Sequence, residues 1–82
     1  MFLGWYDPDK KKPAHQKVAE GIERYVEKFG AAPITCLTNP IDAAELNGAK
    51  QPPVVAVRAV DYIPRWTFYI GVEDAPISAI AA

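Results

Sequence analysis

Cys36 and His15 are the only nucleophile–base pair that the 82 residues offer. A thiol enzyme needs a partly exposed cysteine whose thiolate is stabilised by its surroundings. Cys36 instead lies between Thr35 and Leu37 in a short β-branched run, where a small buried hydrophobe is expected. His15 falls near the start of a helical pattern, at the edge of its apolar stripe, and no orienting partner accompanies it. Capping or packing is its plainer role. One Cys, one His and scattered carboxylates give no metal-ligand spacing. Asp7, Asp9, Glu73 and Asp74 do not form a calcium-loop pattern. The five glycines are isolated, so no phosphate-cradling loop is present. No catalytic, cofactor-binding or metal-binding residue is assigned, and a non-enzymatic protein without cofactor is expected.

Two constellations point to binding. Lys10, Lys11 and Lys12 follow directly on Trp5 and Tyr6, and Arg65 precedes Trp66. Cations beside aromatic rings are how single-stranded nucleic acid is held, although a lysine run before a helix also serves as a solvated turn. The junction Thr38-Asn39-Pro40 ends a strand and begins a helix, and free N–H groups at such a point can bind an anion. Arg58 or Arg65 could approach it. The competing role for Asn39 is simply to cap the helix.

These residues are positioned by a short series of elements. Phe2 to Tyr6 suits a strand or a docked arm, and Asp7-Pro8-Asp9 with the three lysines makes a polar turn. Pro13 to Phe29 reads as one long amphipathic helix. Ala14, Val18, Ile22, Tyr25, Val26 and Phe29 recur at helical spacing, while Gln16, Lys17, Glu20, Glu23, Arg24 and Glu27 fill the opposite face. Glu20 and Arg24 are spaced to pair, and Gly30 is placed to end the helix in a left-handed conformation. Ile34 to Thr38 is a strand. Ile41 to Asn47 is a short helix, with Asn39 as cap and Pro40 at its first position. Val54 to Val60 and Trp66 to Val72 are strands by β-branched content and alternation. The expected fold is α/β (or α+β): a small three- to four-stranded mixed sheet with one long and one short helix, in the order α-β-α-β-β. Ile34 to Val60 is expected to be a parallel βαβ unit with a right-handed crossover. The last two strands, joined by a short turn, are expected to pair antiparallel. The stretch from 75 to 82 carries no charge and reads as an arm or a flexible tail.

Bulk properties bound the class. A chain of 82 residues is one domain with a thin margin of stability. A single cysteine excludes an internal disulfide and fits a reducing, cytoplasmic setting. A net charge of −1 argues against a strongly electrostatic nucleic-acid binder, though a local basic patch is compatible with it. No apolar run is long enough for a signal peptide or a membrane span.

One segment, Glu23-Arg24-Tyr25-Val26-Glu27-Lys28-Phe29-Gly30, is followed by Pro33 and a strand running into Asn39-Pro40. Together with Tyr62-Ile63-Pro64 and Phe68-Tyr69-Ile70-Gly71-Val72, it resembles small uncharacterised bacterial α/β proteins. The resemblance implies the fold and a bacterial source. It implies no activity.

A single long helix covers one side of a small sheet, yet both faces of the Val54–Val60 strand are largely apolar. Either the short helix covers the second face, or a partner does, most simply a second copy of this chain. The leading functional expectation is therefore a protein-interaction module that self-associates as a homodimer, with Trp5, Arg58, Trp66 and Tyr69 as contact residues. The alternative is a small protein that binds an anionic ligand or single-stranded nucleic acid through Lys10, Lys11, Lys12, Asn39, Arg58 and Arg65.

Overall fold

A computed structural model gives the fold and describes residues 2–72. The elements are β1 (Phe2–Tyr6), α1 (Ala14–Phe29), β2 (Thr35–Thr38), α2 (Pro40–Asn47), β3 (Ala56–Ala59) and β4 (Thr67–Gly71). Phe2 to Tyr6 is thus a strand rather than a docked arm, and it extends the expected order to β-α-β-α-β-β. The tail from 75 to 82 lies outside the described residues.

The four strands form one mixed sheet in the order β1-β4-β2-β3. β4 runs antiparallel to both β1 and β2, and β2 and β3 are parallel, as expected for the βαβ unit. The expected hairpin between the last two strands is not formed. β4 inserts between β1 and β2, where its N–H and C=O groups are satisfied on both sides, and β2 separates it from β3. The seven residues between β3 and β4 form a connection across the end of β2 rather than a tight turn.

This order also decides where the helices lie. The chain steps from β1 to β2 through α1 and from β2 to β3 through α2, moving the same way across the sheet each time. Two crossovers of the same hand, taken in one direction, place both helices on one face, as the right-handed rule requires. Val18 and Tyr25 of α1, Leu46 of α2, Cys36 of β2 and Phe68 and Ile70 of β4 accordingly share one buried cluster. Leu3, Trp5 and Val57 pack against it from the flanking strands. In register, Trp5 faces Phe68, Leu3 faces Ile70, and Cys36 lies between Ile70 and Val57. The short helix therefore does not cover the second face of the sheet. Trp5, expected at an interface, is half-buried and packs against this core from β1.

Local signals account for the helix ends. Gly30 closes α1 at φ 72° with its N–H on the Val26 carbonyl. The Asn39 side chain caps α2 by accepting from the Ile41 N–H at 2.8 Å, with Pro40 at the first position. Gly21 lets α1 lie close against the sheet. A Cβ there would collide with Ile70 Cδ1 and stand 3.0 Å from Trp5 Cδ1. Two expectations for α1 fail. Val26 is 42% exposed, because it lies at the margin of the stripe, beyond the reach of the sheet. Glu20 pairs with Lys12 at 2.9 Å rather than with Arg24, which lies near Glu27.

Candidate functional site

At the carboxyl ends of β1 and β2 the chain encloses an open basin of about 360 Å3. Its cations are Lys10, Lys11, Lys12, Lys17 and Arg65, of which Lys10, Lys17 and Arg65 stand over the half-buried ring of Trp66. The lysine turn follows β1, Lys17 comes from the first turns of α1, and Arg65 and Trp66 lead into β4. Two carboxylates, Asp42 and Glu45 of α2, complete the lining.

Asp42 is fully engaged, whereas Glu45 is exposed and gives one oxygen to a backbone N–H. Asp42 is 1% exposed and accepts from the Trp66 N–H at 2.8 Å, from Arg65 Nε at 3.3 Å and from Arg65 Nη2 at 3.2 Å. Glu45 Oε2 accepts from the Ala14 N–H at 2.7 Å, satisfying one of the free donors at the start of α1 from the neighbouring helix. Lys12 is held by Glu20 at 2.9 Å and by Asp7 at 3.3 Å. Its ammonium is accordingly favoured, by Glu20 first, and its pKa is raised. The Asp7 carboxyl is lowered, chiefly by the hydrogen bond from the Asp9 N–H and then by Lys12. The lowered Asp7 stabilises this turn above the ordinary aspartate range and ceases to do so as pH falls through its own range.

Lys17 was expected on the solvated face of α1. It is 2% exposed. Among the described residues its ammonium has no hydrogen bond or ion pair; it points to the Trp66 ring, 5.9 Å from the centroid. Asp7 attracts it only through space. The side chain is buried along its stem while Nζ still reaches solvent, so the charge avoids the full cost of an unpaired buried ion. Lys10 Nζ at 6.0 Å and Arg65 Cζ at 5.1 Å approach the same ring. Cation–π contact offsets part of the repulsion among these groups.

Trp66 itself is held in an uncommon conformation. Its φ is 61°, the one positive value at a non-glycine residue among those described. The Trp66 N–H is bound by Asp42, and its carbonyl accepts from the Asp7 N–H at 3.0 Å. A left-handed backbone at a bulky residue costs about 1–3 kcal/mol and persists only where its surroundings over-determine it. Trp66→Gly is therefore expected to be more stable than Trp66→Ala by about 1 kcal/mol, the reverse of the usual order. Urea denaturation of the two variants reads this directly.

The other suspected residues lie elsewhere. Asn39 is spent on structure: it caps α2 and donates through Nδ2 to the Ile63 carbonyl at 2.9 Å. Arg58 projects from β3 on the opposite sheet face from Val57 and already has an interaction partner. Tyr69 is 40% exposed on that same open face, in register with Leu37 on one side and Gly4 on the other. There Phe2, Leu37 and Tyr69, with Tyr62, Ile63 and Pro64, line a shallow apolar recess of about 280 Å3. Among the described residues nothing covers it. Of the contact residues expected from the sequence, the basin gathers Lys10, Lys11, Lys12, Arg65 and Trp66, leaves out Trp5, Asn39, Arg58 and Tyr69, and adds Lys17.

Cys36 is fully buried, and burial pushes its thiol up to about 12. His15 is exposed on α1, away from the core that encloses Cys36. The thiol should resist iodoacetamide in the native protein at neutral pH and react once the chain is unfolded. Because the folded thiol is raised from 9.0, its contribution to stability is complete below pH 9 and is lost as pH rises towards 12. A native thiol that alkylates as fast as free cysteine would contradict this.

Among the described residues no cluster of side chains could hold a metal ion, and no helix is long and apolar enough to cross a membrane. In comparisons with known proteins, the chain matches no family model, no curated protein and no solved structure.

Proposed function

We propose that this chain is a non-enzymatic binding protein for an anionic ligand held in the basin at the carboxyl ends of β1 and β2. The observation that carries this reading is Lys17, a residue 2% exposed that lines the recess and has no ion pair among the described residues. An anion supplies the missing partner. Lys10 and Lys11 at the rim are exposed and steer negative charge towards it.

The test is a thermal-shift series with sulfate, phosphate, pyrophosphate and citrate, each compared with sodium chloride at equal ionic strength. At least one anion is expected to raise the melting temperature, since a ligand at a hundredfold its Kd adds about 2.7 kcal/mol. No shift above the chloride control would reject the reading.

A second reading is favoured by a separate observation. Both helices occupy one side of the sheet, and the apolar row on the other side lies open among the described residues. On this reading the chain self-associates through that face. Light scattering across a dilution series should then show a dimer that Tyr69→Arg dissociates. A monomer at every concentration would reject it.

A further inference from the structure

Exposure differs sharply among the lysines that line the basin. Lys10 and Lys11 are exposed at its rim, whereas Lys17 is 2% exposed at its floor. Only a group that enters the recess reaches Lys17. A phosphodiester within a nucleic-acid strand carries substituents on two oxygens and a single charge, and it tracks an open basic groove. Such a backbone would meet the rim lysines and leave the floor unpaired. A terminal phosphoryl group has one substituent and three free oxygens, so it can enter end-on.

Charge points the same way. Lys10, Lys11 and Lys17 have no ion pair among the described residues, and Arg65 gives only two of its N–H groups to Asp42. Glu45, which accepts only a backbone N–H, offsets one of these charges, and a single carboxylate would leave part of the remainder uncompensated. A phosphate monoester brings about −1.5 to −2 at neutral pH together with strong acceptor oxygens. The volume, about 360 Å3, falls at the small end of ordinary ligand pockets.

We infer that the basin takes the terminal phosphoryl group of a small phosphate monoester, with Lys17 on its floor and Lys10 and Lys11 at its rim. This rests on the anion-binding reading above and narrows it to one ligand class.

Isothermal titration of the full chain at fixed ionic strength tests it with four kinds of probe. They are inorganic phosphate, glycerol phosphate, citrate, and a short oligothymidylate with or without a terminal phosphate. Phosphate and glycerol phosphate should bind at least tenfold more tightly than citrate or the unphosphorylated oligonucleotide. Lys17→Met should weaken glycerol phosphate binding by about tenfold to a hundredfold. The free variant should stay folded, because methionine keeps the buried apolar stem and drops only the terminal charge; if it does not, Lys17→Gln gives the same reading. Citrate or unphosphorylated oligonucleotide binding as tightly as glycerol phosphate would overturn this inference and leave the anion reading standing. A phosphorylated oligonucleotide that outcompetes glycerol phosphate would move the source to a nucleic-acid end and overturn the small-ester assignment. Unchanged affinity in Lys17→Met would remove Lys17 from the site. No binding by any probe would overturn the inference; the thermal-shift series decides the broader reading separately.

Discussion

Asp42→Ala is expected to destabilise the protein by about 2–4 kcal/mol, measured by urea denaturation followed by circular dichroism. Removing one partner of a buried ion pair ordinarily costs about 3–5 kcal/mol, because the other charge is left without compensation. Here the Arg65 side chain keeps 36% of its surface in solvent, which reduces that part of the cost. The Trp66 N–H also loses its acceptor, and an unsatisfied buried donor costs about 1–3 kcal/mol. A chain of 82 residues has roughly 4–12 kcal/mol in total, so this one carboxylate accounts for a large share. Asp42→Asn separates the two contributions. Its amide oxygen can still accept from Trp66, so about half of the loss should be recovered. Equal losses in both variants would show that the ion pair, rather than the clasp on the backbone, is what matters. A loss below about 0.5 kcal/mol in Asp42→Ala, the size of an ordinary surface substitution, would refute the account of the basin as a braced structure.

Phe68→Ala should cost about 3–5 kcal/mol, enough to unfold much of the population at ordinary temperature. Phe68 is fully buried in the central strand β4, facing Trp5 on one side and Thr38 on the other. Its neighbour Tyr69 points to the open face and is 40% exposed, so Tyr69→Ala should cost only about 1 kcal/mol in the monomer. The contrast between adjacent positions is a direct measure of strand alternation. If Tyr69→Ala is instead as damaging as Phe68→Ala, and its cost grows with protein concentration, a second copy covers the open face.

Much of this molecule is legible along the chain. The 3.6-residue recurrence through Ala14, Val18, Ile22 and Tyr25 marks α1, and Gly30 stops it. Asn39-Pro40 marks the start of α2 by a cap that needs only neighbouring residues. Alternation in Phe68 and Ile70 identifies the buried side of β4, and the β-branched run around Cys36 places that thiol inside. All of these rest on forces between residues a few positions apart, so pattern alone suffices to read them.

Strand order and the environment of single side chains have a different origin. Nothing in the turn from Asp61 to Arg65 says that β4 passes β2's end and enters between β1 and β2. That is decided by which edges offer unpaired backbone groups once the crossovers are in place. The same crossovers put α1 and α2 on one face and expose Tyr69 and Leu37 on the other. Lys17 shows the limit most clearly. In sequence it is a charged residue beside Val18, among the polar positions opposite the apolar stripe, and solvation is the natural expectation. It becomes the buried floor of a basin only because Asp42, from a different helix, holds the Trp66 backbone in a left-handed turn beside it. Periodicity reports which way a side chain points from its own element. What it meets there depends on contacts between distant segments, and these exist only in the folded chain.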